Sequence, residues 1–440
     1  MHNVILHAFN WRYTDIIKNL ESIRSAGYGA ILIPPPLYSD PKGDQWWQRY
    51  QPKDYRILLS HLGGKRELEQ LIAACHEGTP KLRVCADLVI NHMANEDRGD
   101  RFDFPGKTEL ERYKAEPDLY EENRLYGDLG EGLFSSFDFN HAGEIEGHEW
   151  SDRGAVQYQN LSGLPDLKDS PWVFDQQRLM VEALVEMGFD GFRVDAIKHI
   201  TERMVDNLAD QPSVREKFWF GEVLTGSDHD ERVFLEPFLR ETWMSAYDFP
   251  LFNTMREAFS FGGSLRQLVS PQDDGNALPW DRAVTFVVNH DVPHNAGFRS
   301  WLLSPQDEHL AYAYMLGRDG GVPLIYSDNN ESHYPEDKGR WLNLYKRPDI
   351  TAMIQFHNAL HGEPMVMLYE SDTLLIFRRG NRGIVAINKS DSEQWVELNT
   401  WGLNNPGAYV DLIHNHRLTI SGNTLPLLVP ARSAQMWLSD

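Results

Sequence analysis

The chain has 440 residues and carries 42 Lys and Arg against 65 Asp and Glu, a formal net charge of −23. At roughly 150 residues per domain that is about three domains' worth of chain, ample for a large core. Hydrophobic residues at 41% and charged residues at 24% exclude a disordered or collagen-like chain, and the acidity excludes nucleic acid or anionic lipid as partners held by bulk attraction.

Residues 4–9 read as a strand. Ile16, Ile17, Leu20 and Ile23 then share one helical face, and Gly27 ends that helix. Ala30-Ile31-Leu32-Ile33 reads as a buried strand, stopped by Pro34-Pro35-Pro36. Leu68, Leu71, Ile72 and Cys75 mark a second helix, and residues 82–90 a third strand. From Met93 to Asp169 the periodicity breaks. A structureless loop of that length does not suit a compact domain, so the segment is expected to be an inserted domain.

Alternation resumes with Ser170-Pro171 as helix N-cap and first helical residue. Leu179, Met180, Ala183, Leu184 and Met187 are expected to share the buried face, with Gly188 closing the helix. Strands follow at 189–195, 218–223, 243–247, 284–288 and 322–326. Eight strands alternating with helices predict an α/β chain built on a (β/α)₈ barrel. The barrel is expected over residues 1–92 and 170–361, with a domain B at 93–169 inserted after the third strand. Residues 362–440 turn to short β segments, such as 373–377 and 383–387, and predict a C-terminal antiparallel β-sandwich. No aromatic pair in this tail stands out as an exposed platform, so the domain is expected to shield one side of the barrel.

Two cysteines, Cys75 and Cys85, cannot make a disulfide framework and are expected as buried thiols. No run approaches the ~20 apolar residues of a membrane span. The first residues read as a strand and not as a signal peptide, so the expected compartment is the cytoplasm, with a trimmed secreted form as the alternative. Aromatic residues at 12%, with 13 Trp, suit either sugar stacking or a Trp-rich core.

Charged residues gather where the expected barrel strands end. Arg193 and Asp195 alternate with Phe192 and Val194, so period two turns the charged pair toward the barrel axis. Strand 5 ends at Glu222, strand 7 at Asn289-His290-Asp291, and strand 3 at Asn91-His92 after Asp87. Barrel active sites are built at these C-terminal strand ends. Several carboxylates in one mouth must be held apart, bridged by a cation or neutralised by a proton. One carboxylate kept ionised beside one kept protonated is the division of labour that glycoside hydrolysis needs.

Five motifs, in order, resemble the α-amylase family of retaining glycoside hydrolases (glycoside hydrolase family 13), over almost the whole chain. They are Asp87-Leu88-Val89-Ile90-Asn91-His92, Leu164-Pro165-Asp166-Leu167, Gly191-Phe192-Arg193-Val194-Asp195-Ala196-Ile197-Lys198-His199, Phe220-Gly221-Glu222-Val223 and Phe286-Val287-Val288-Asn289-His290-Asp291. The resemblance implies Asp195 as nucleophile, Glu222 as general acid/base and Asp291 as the third carboxylate, gripping sugar hydroxyls. It implies that Arg193 holds Asp195 ionised, that His92 and His290 bond the sugar at the cleaved bond, and that Lys198 and His199 lie on the aglycone side. Trp46-Trp47-Gln48-Arg49-Tyr50-Gln51-Pro52 resembles a stretch of animal-type members, which implies a sugar-stacking Tyr50 and glycone-side Trp46 and Trp47.

The same resemblance implies a structural Ca²⁺ with Asn91, Asp166 and the His199 carbonyl as ligands; oxygen ligands suit this hard cation. The acidic stretch Tyr126-Gly127-Asp128-Leu129-Gly130-Glu131 is a further, weaker candidate. Animal-type members also bind chloride. Arg193 and Asn289 match two of its ligands, but Leu324 stands where the third, basic one is expected, so chloride independence is expected. Val288 and Val292-Pro293-His294-Asn295 depart from the family's strand-7 pattern.

The leading expectation is an endo-acting α-amylase on starch-like α-1,4-glucans and maltooligosaccharides, acting as a monomer. An exo-acting maltooligosaccharide hydrolase, α-glucosidase or transglycosylase of the same family is the alternative. A non-catalytic sugar-binding relative would have lost carboxylates that this chain keeps.

Overall fold

The computed structural model describes residues 3–39, 43, 45–95, 102–329 and 334–439. Eight strands form the barrel: β1 (Ile5–Phe9), β2 (Ala30–Ile33), β3 (Arg83–Leu88), β4 (Gly191–Val194), β5 (Phe218–Gly221), β6 (Ser245–Tyr247), β7 (Ala283–Phe286) and β8 (Val322–Asp328). They close in the order β1-β8-β7-β6-β5-β4-β3-β2. Every expected barrel strand is present, with ends displaced by up to two residues.

Local chemistry sets the helices between them. Helix α1 (Tyr13–Ala26) stops at Gly27, whose φ of +94° favours glycine. Helix α2 (Lys65–Glu77) buries Leu68, Leu71, Ile72 and Cys75, the four residues its periodicity selects. Helix α3 (Pro171–Met187) begins as read: the Ser170 side chain accepts from the Val173 N–H, and Gly188 ends it in the left-handed region. Its buried face differs from the expected one. Val173, Phe174, Gln176, Gln177, Met180, Val181 and Leu184 point inward, while Leu179 is exposed. Gln177 explains the rotation, because its Nε2 donates to the Ile90 carbonyl (2.9 Å) just beyond β3, a polar contact that hydrophobic periodicity does not see.

The chain divides into two compact units. One comprises residues 10–20 and 30–247, and so holds β2 to β6 and the long insertion. In it β3, β4 and β5 pair in parallel, with Asp87 opposite Arg193 and Arg193 opposite Phe220. Phe192 and Trp219, on the other face, pack with their ring centroids 4.5 Å apart at a tilt of 41°. A Cβ on Gly191 would lie 2.6 Å from the Phe218 carbonyl, so only glycine permits this approach of β4 to β5. Of the expected insertion, the described residues 102–169 include short helices, among them Lys107–Ala115, Pro117–Glu122 and Arg153–Tyr158. Tyr113, Tyr120 and Leu129 of this segment share a small core with Tyr38 and Ile57. The stretch 126–131 is tied to the buried Asp54–Arg56 pair: Arg56 donates to the carbonyls of Asp128 and Glu131.

The other unit comprises residues 1–9, 21–29 and 248–440. It contains β1, β7 and β8, which pair in parallel, β8 with both of the others. It also contains the C-terminal strands β9 (Met365–Glu370), β10 (Leu374–Arg379), β11 (Gly383–Asn388), β12 (Gln394–Asn399), β13 (Gly407–Asp411), β14 (Arg417–Ile420), β15 (Thr424–Val429) and β16 (Ser433–Ser439). Six of them form one sheet, in the order β9-β10-β11-β16-β13-β14, and β12 pairs with β15. Their shared core holds Ile376, Ile384, Leu398, Tyr409, Leu427 and Trp437. Two tryptophans of this domain are nonetheless exposed singly, Trp395 at 68% and Trp401 at 77%. Trp395 lies on β12, whose alternate residues face solvent because only one face of the β12–β15 ribbon is covered.

Among the described residues, no helix is long and apolar enough to cross a membrane. Cys75 and Cys85 are both buried and unpaired with each other.

Candidate active site

The C-terminal ends of β3, β4 and β5 converge on one guanidinium. Arg193 is fully buried. Its Nη1 donates to both oxygens of Asp87 and to Asp195 Oδ1, each at 2.8 Å, and its Nη2 lies 2.9 Å from Glu222 Oε2. Parallel register explains the meeting: Asp87 sits opposite Arg193, while Asp195 and Glu222 each follow the last residue of their strand. The backbone ladder continues past the strands to fix both carboxylates, with Asp195 N–H donating to Leu88 O (2.9 Å) and Glu222 N–H to Val194 O (3.0 Å). Ala196, at φ +46°, turns its N–H onto Glu222 Oε2 (3.0 Å).

Three carboxylates thus share one cation. Burial pushes Asp195 up to about 8, with the charges of Glu222 and Asp87 adding to the rise and Arg193 opposing it. Burial likewise pushes Asp87 up to about 6. Arg193, which the resemblance implies keeps Asp195 ionised, is shared among three carboxylates, and burial outweighs its pull on Asp195. Asp87 and Asp195 therefore keep their protons to higher pH than free carboxyl groups do.

The remaining expected residues of this unit surround the cluster. Tyr50, at the end of a short 3₁₀ turn (Trp46–Tyr50), donates from its hydroxyl to Asp87 Oδ2 (3.0 Å). Trp46 meets the Tyr50 ring edge-on at 5.9 Å, and Trp47 is 42% exposed. His92 Nε2 donates to the Tyr50 carbonyl (3.0 Å), and burial lowers it to about 4, so its ring is neutral. Lys198 is not a solvated surface lysine. Its Nζ donates to the Leu224 carbonyl (3.2 Å) and lies 5.4 Å over the Phe234 ring. His199 Nδ1 donates to Val156 O (3.0 Å), and burial lowers it to about 3.

Asn91, Asp166 and His199 also meet. The inner atom of the Asn91 side-chain amide lies 3.0 Å from the His199 carbonyl oxygen and 3.3 Å from Asp166 Oδ1. With its nitrogen inward the Asn91 amide donates to both oxygens; with its oxygen inward, the three oxygens would be part of a donor set suited to a hard cation. Asp166 is 1% exposed, and among the described residues no lysine or arginine pairs with it; Asn140 Nδ2 donates to its other oxygen (2.8 Å). Burial accordingly drives its carboxyl well up. Asn91, Asp166 and the His199 carbonyl are the residues here that could contribute oxygens to a Ca²⁺. The acidic stretch 126–131 turns its Asp128 and Glu131 carbonyls to Arg56 instead.

In the other unit, His290 and Asp291 follow β7. His290 is buried, stacks on Phe9 (4.9 Å, 22°) and places Nε2 3.5 Å from Asp291 Oδ2. Asn289 Oδ1 accepts from the N–H groups of Asp291 (3.1 Å) and Val292 (3.2 Å). Leu324 is fully buried on β8, opposite Phe286 and Ile5.

Sequence reasoning named Asp87 but gave it no role, although it accepts from both Arg193 and Tyr50. Sequence reasoning placed it near the end of strand 3; only the register set it against Arg193. His294 carried a signal as a departure from the strand-7 pattern, and Asp328 carried none.

A parallel barrel with a carboxylate cluster at the C-terminal ends of its strands is an arrangement that (β/α)₈ glycoside hydrolases use. The comparisons agree. Residues 13–225 match the α-amylase catalytic domain, and residues 369–439 match the α-amylase C-terminal all-beta domain. An α-amylase of Aeromonas hydrophila is 44% identical over 98% of this chain and 94% of its own. An α-amylase-related protein of Drosophila elegans is 28% identical over 93% of this chain and 85% of its own. The structure of an α-amylase I variant from Eisenia fetida with maltohexaose superposes with a TM-score of 0.78 at 23% identity, covering 99% of this chain and 97% of that one. The chain belongs to the α-amylase family, glycoside hydrolase family 13.

Proposed function

We propose that the chain is an endo-acting, retaining α-amylase that hydrolyses internal α-1,4-glucosidic bonds of starch-like glucans and maltooligosaccharides, as a monomer. The observation that carries this reading is the placing of Asp195 and Glu222 on the two arms of one guanidinium, on neighbouring strands. A retaining enzyme needs its two carboxyl groups ~5–5.5 Å apart. In this reading Asp195 attacks the anomeric carbon while Glu222 protonates the leaving glycosidic oxygen. Glu222 then takes a proton from water, which displaces Asp195 and releases a sugar of retained configuration. Asp291 grips the hydroxyls of the sugar at the cleaved bond, with His92 and His290 bonding the same sugar. Tyr50 stacks on it, Trp46 and Trp47 line the glycone side, and Lys198 and His199 flank the aglycone side.

The 44% identical relative named an α-amylase and the maltohexaose-bound structural neighbour support the substrate class. We further propose that Asn91, Asp166 and the His199 carbonyl hold Ca²⁺, whose charge would offset the buried Asp166 and tie the insertion to the end of β3. Chloride is not required, because Leu324 supplies no cationic partner for a buried anion beside Arg193.

The test is soluble starch digested by the wild type and by Glu222→Gln, sampled early, with products resolved by length and anomer. A ladder of α-configured oligosaccharides from the wild type, and a loss of about 10²–10⁴-fold in the variant, is expected. A single short product at early times would move the reading to an exo-acting member of the family. Products of β configuration would refute retention.

A further inference from the structure

We propose that His294, Asp328 and the Tyr326 hydroxyl form a positioning unit for Asp291; the proposal rests on the reading of Asp291 as the third carboxylate. Asp291 opens a single helical turn, Asp291–His294. One turn has no ladder of hydrogen bonds to hold it, so its orientation is set by whatever tethers its two ends. The first end is fixed by Asn289 Oδ1, which takes the Asp291 and Val292 N–H groups.

The second end is fixed by side chains. His294 Nε2 lies 2.9 Å from Asp328 Oδ2 and 3.1 Å from the Tyr326 hydroxyl, and that hydroxyl donates to the same Asp328 oxygen (3.0 Å). All three residues are buried. Asp328 is the last residue of β8, which pairs with β7, and the chain leaving β7 reaches Asn289. The turn is therefore strapped between the ends of two neighbouring strands. Phe9 closes the arrangement, stacking on His290 and lying 5.5 Å from the His294 ring. Swinging the turn would pull the imidazole off a buried carboxylate, costing it one of its hydrogen-bond donors. The His294–Asp328 contact thus sets the aim of the Asp291 carboxylate, while His294 itself touches no substrate.

The experiment uses the full chain and the variants His294→Ala, His294→Gln, Asp328→Asn, Asp291→Asn and the double variant His294→Ala/Asp328→Asn. kcat and KM are measured on a chromogenic maltooligosaccharide, and the folded fraction and Tm by circular dichroism. His294→Ala is expected to lower kcat about 10- to 100-fold per folded molecule, with KM within about twofold, as for a displaced catalytic group. His294→Gln is expected to restore most of that loss, because its amide nitrogen can donate to Asp328 from the place of Nε2. The double variant should lose no more than the worse single one, since both changes cut the same tether. If His294→Ala fails to fold, His294→Gln and Asp328→Asn carry the test: kcat falls in Asp328→Asn and stays near wild type in His294→Gln.

Losses that multiply, or a kcat unchanged per folded molecule, overturn the proposal. A crippled Asp291→Asn beside a fully active Asp328→Asn overturns this inference alone. A fully active Asp291→Asn overturns the reading of Asp291 and the inference with it.

Discussion

Replacing Asp87 with Asn removes one of three negative charges around Arg193 while keeping the volume of the side chain. Arg193 Nη1 lies 2.8 Å from Asp87 and 2.8 Å from Asp195, so the two carboxylate oxygens are less than twice that distance apart. At about 5 Å and an effective dielectric near 20, two like charges repel by about 3 kcal/mol, equivalent to about two pH units on a carboxyl group. The Asp87 anion raises Asp195. Its removal lowers Asp195, and the acid limb of the kcat/KM profile should move to lower pH by about one to two units. The profile is measured on a chromogenic maltooligosaccharide across the acid and neutral range at constant ionic strength. Stability carries the same sign. The folded-state value of Asp87, about 6, lies above its ordinary 3.8, so wild-type stability is highest while Asp87 is protonated and falls as pH rises through that window. The variant lacks this loss, so its Tm should gain on the wild type between those two values. An acid limb that stays in place would refute the shared-cation account of the site.

Three further outcomes follow from other parts of the molecule. Chelation should lower Tm by about 5 °C, and added Ca²⁺ should restore it, the size expected when a ligand near 100 times its Kd is withdrawn; Asp166→Asn should abolish that response. At fixed ionic strength, replacing chloride by a non-coordinating anion should change kcat/KM by less than about twofold, and a steep dependence would refute the reading of Leu324. Lys389 is buried with its ammonium against the carbonyls of Ala258, Ser260 and Gly263, and Lys389→Met should cost about 2–4 kcal/mol in chemical denaturation by orphaning them, with kcat of the folded fraction unchanged.

Much of the architecture was legible because its signals are local. The hydroxyl of Ser170 and the ring of Pro171 start α3 with no help from the rest of the chain, and Gly188 ends it by adopting a conformation that residues with a Cβ avoid. The face of α3 was misread where a long-range contact, Gln177 on the Ile90 carbonyl, overrode hydrophobic period. The exposure of Trp395 and Trp401 was missed for a related reason. Whether a strand's outer face is covered depends on which strands lie across it, and β12 pairs only with β15.

The sequence by itself determined the eight-strand alternation, the strand-end positions of Asp195, Glu222 and Asp291, and through five ordered motifs the family. These follow from period-two alternation and from spacing along the chain, both properties of neighbouring residues. Only the tertiary structure decided that Arg193 is divided among Asp87, Asp195 and Glu222, that Tyr50 spends its hydroxyl on Asp87, and that His294 reaches Asp328. Each of these contacts spans from two to more than a hundred positions, and most depend on the register between parallel strands. Period two tells which way a side chain points; register and distance decide which charges meet, and so how they titrate.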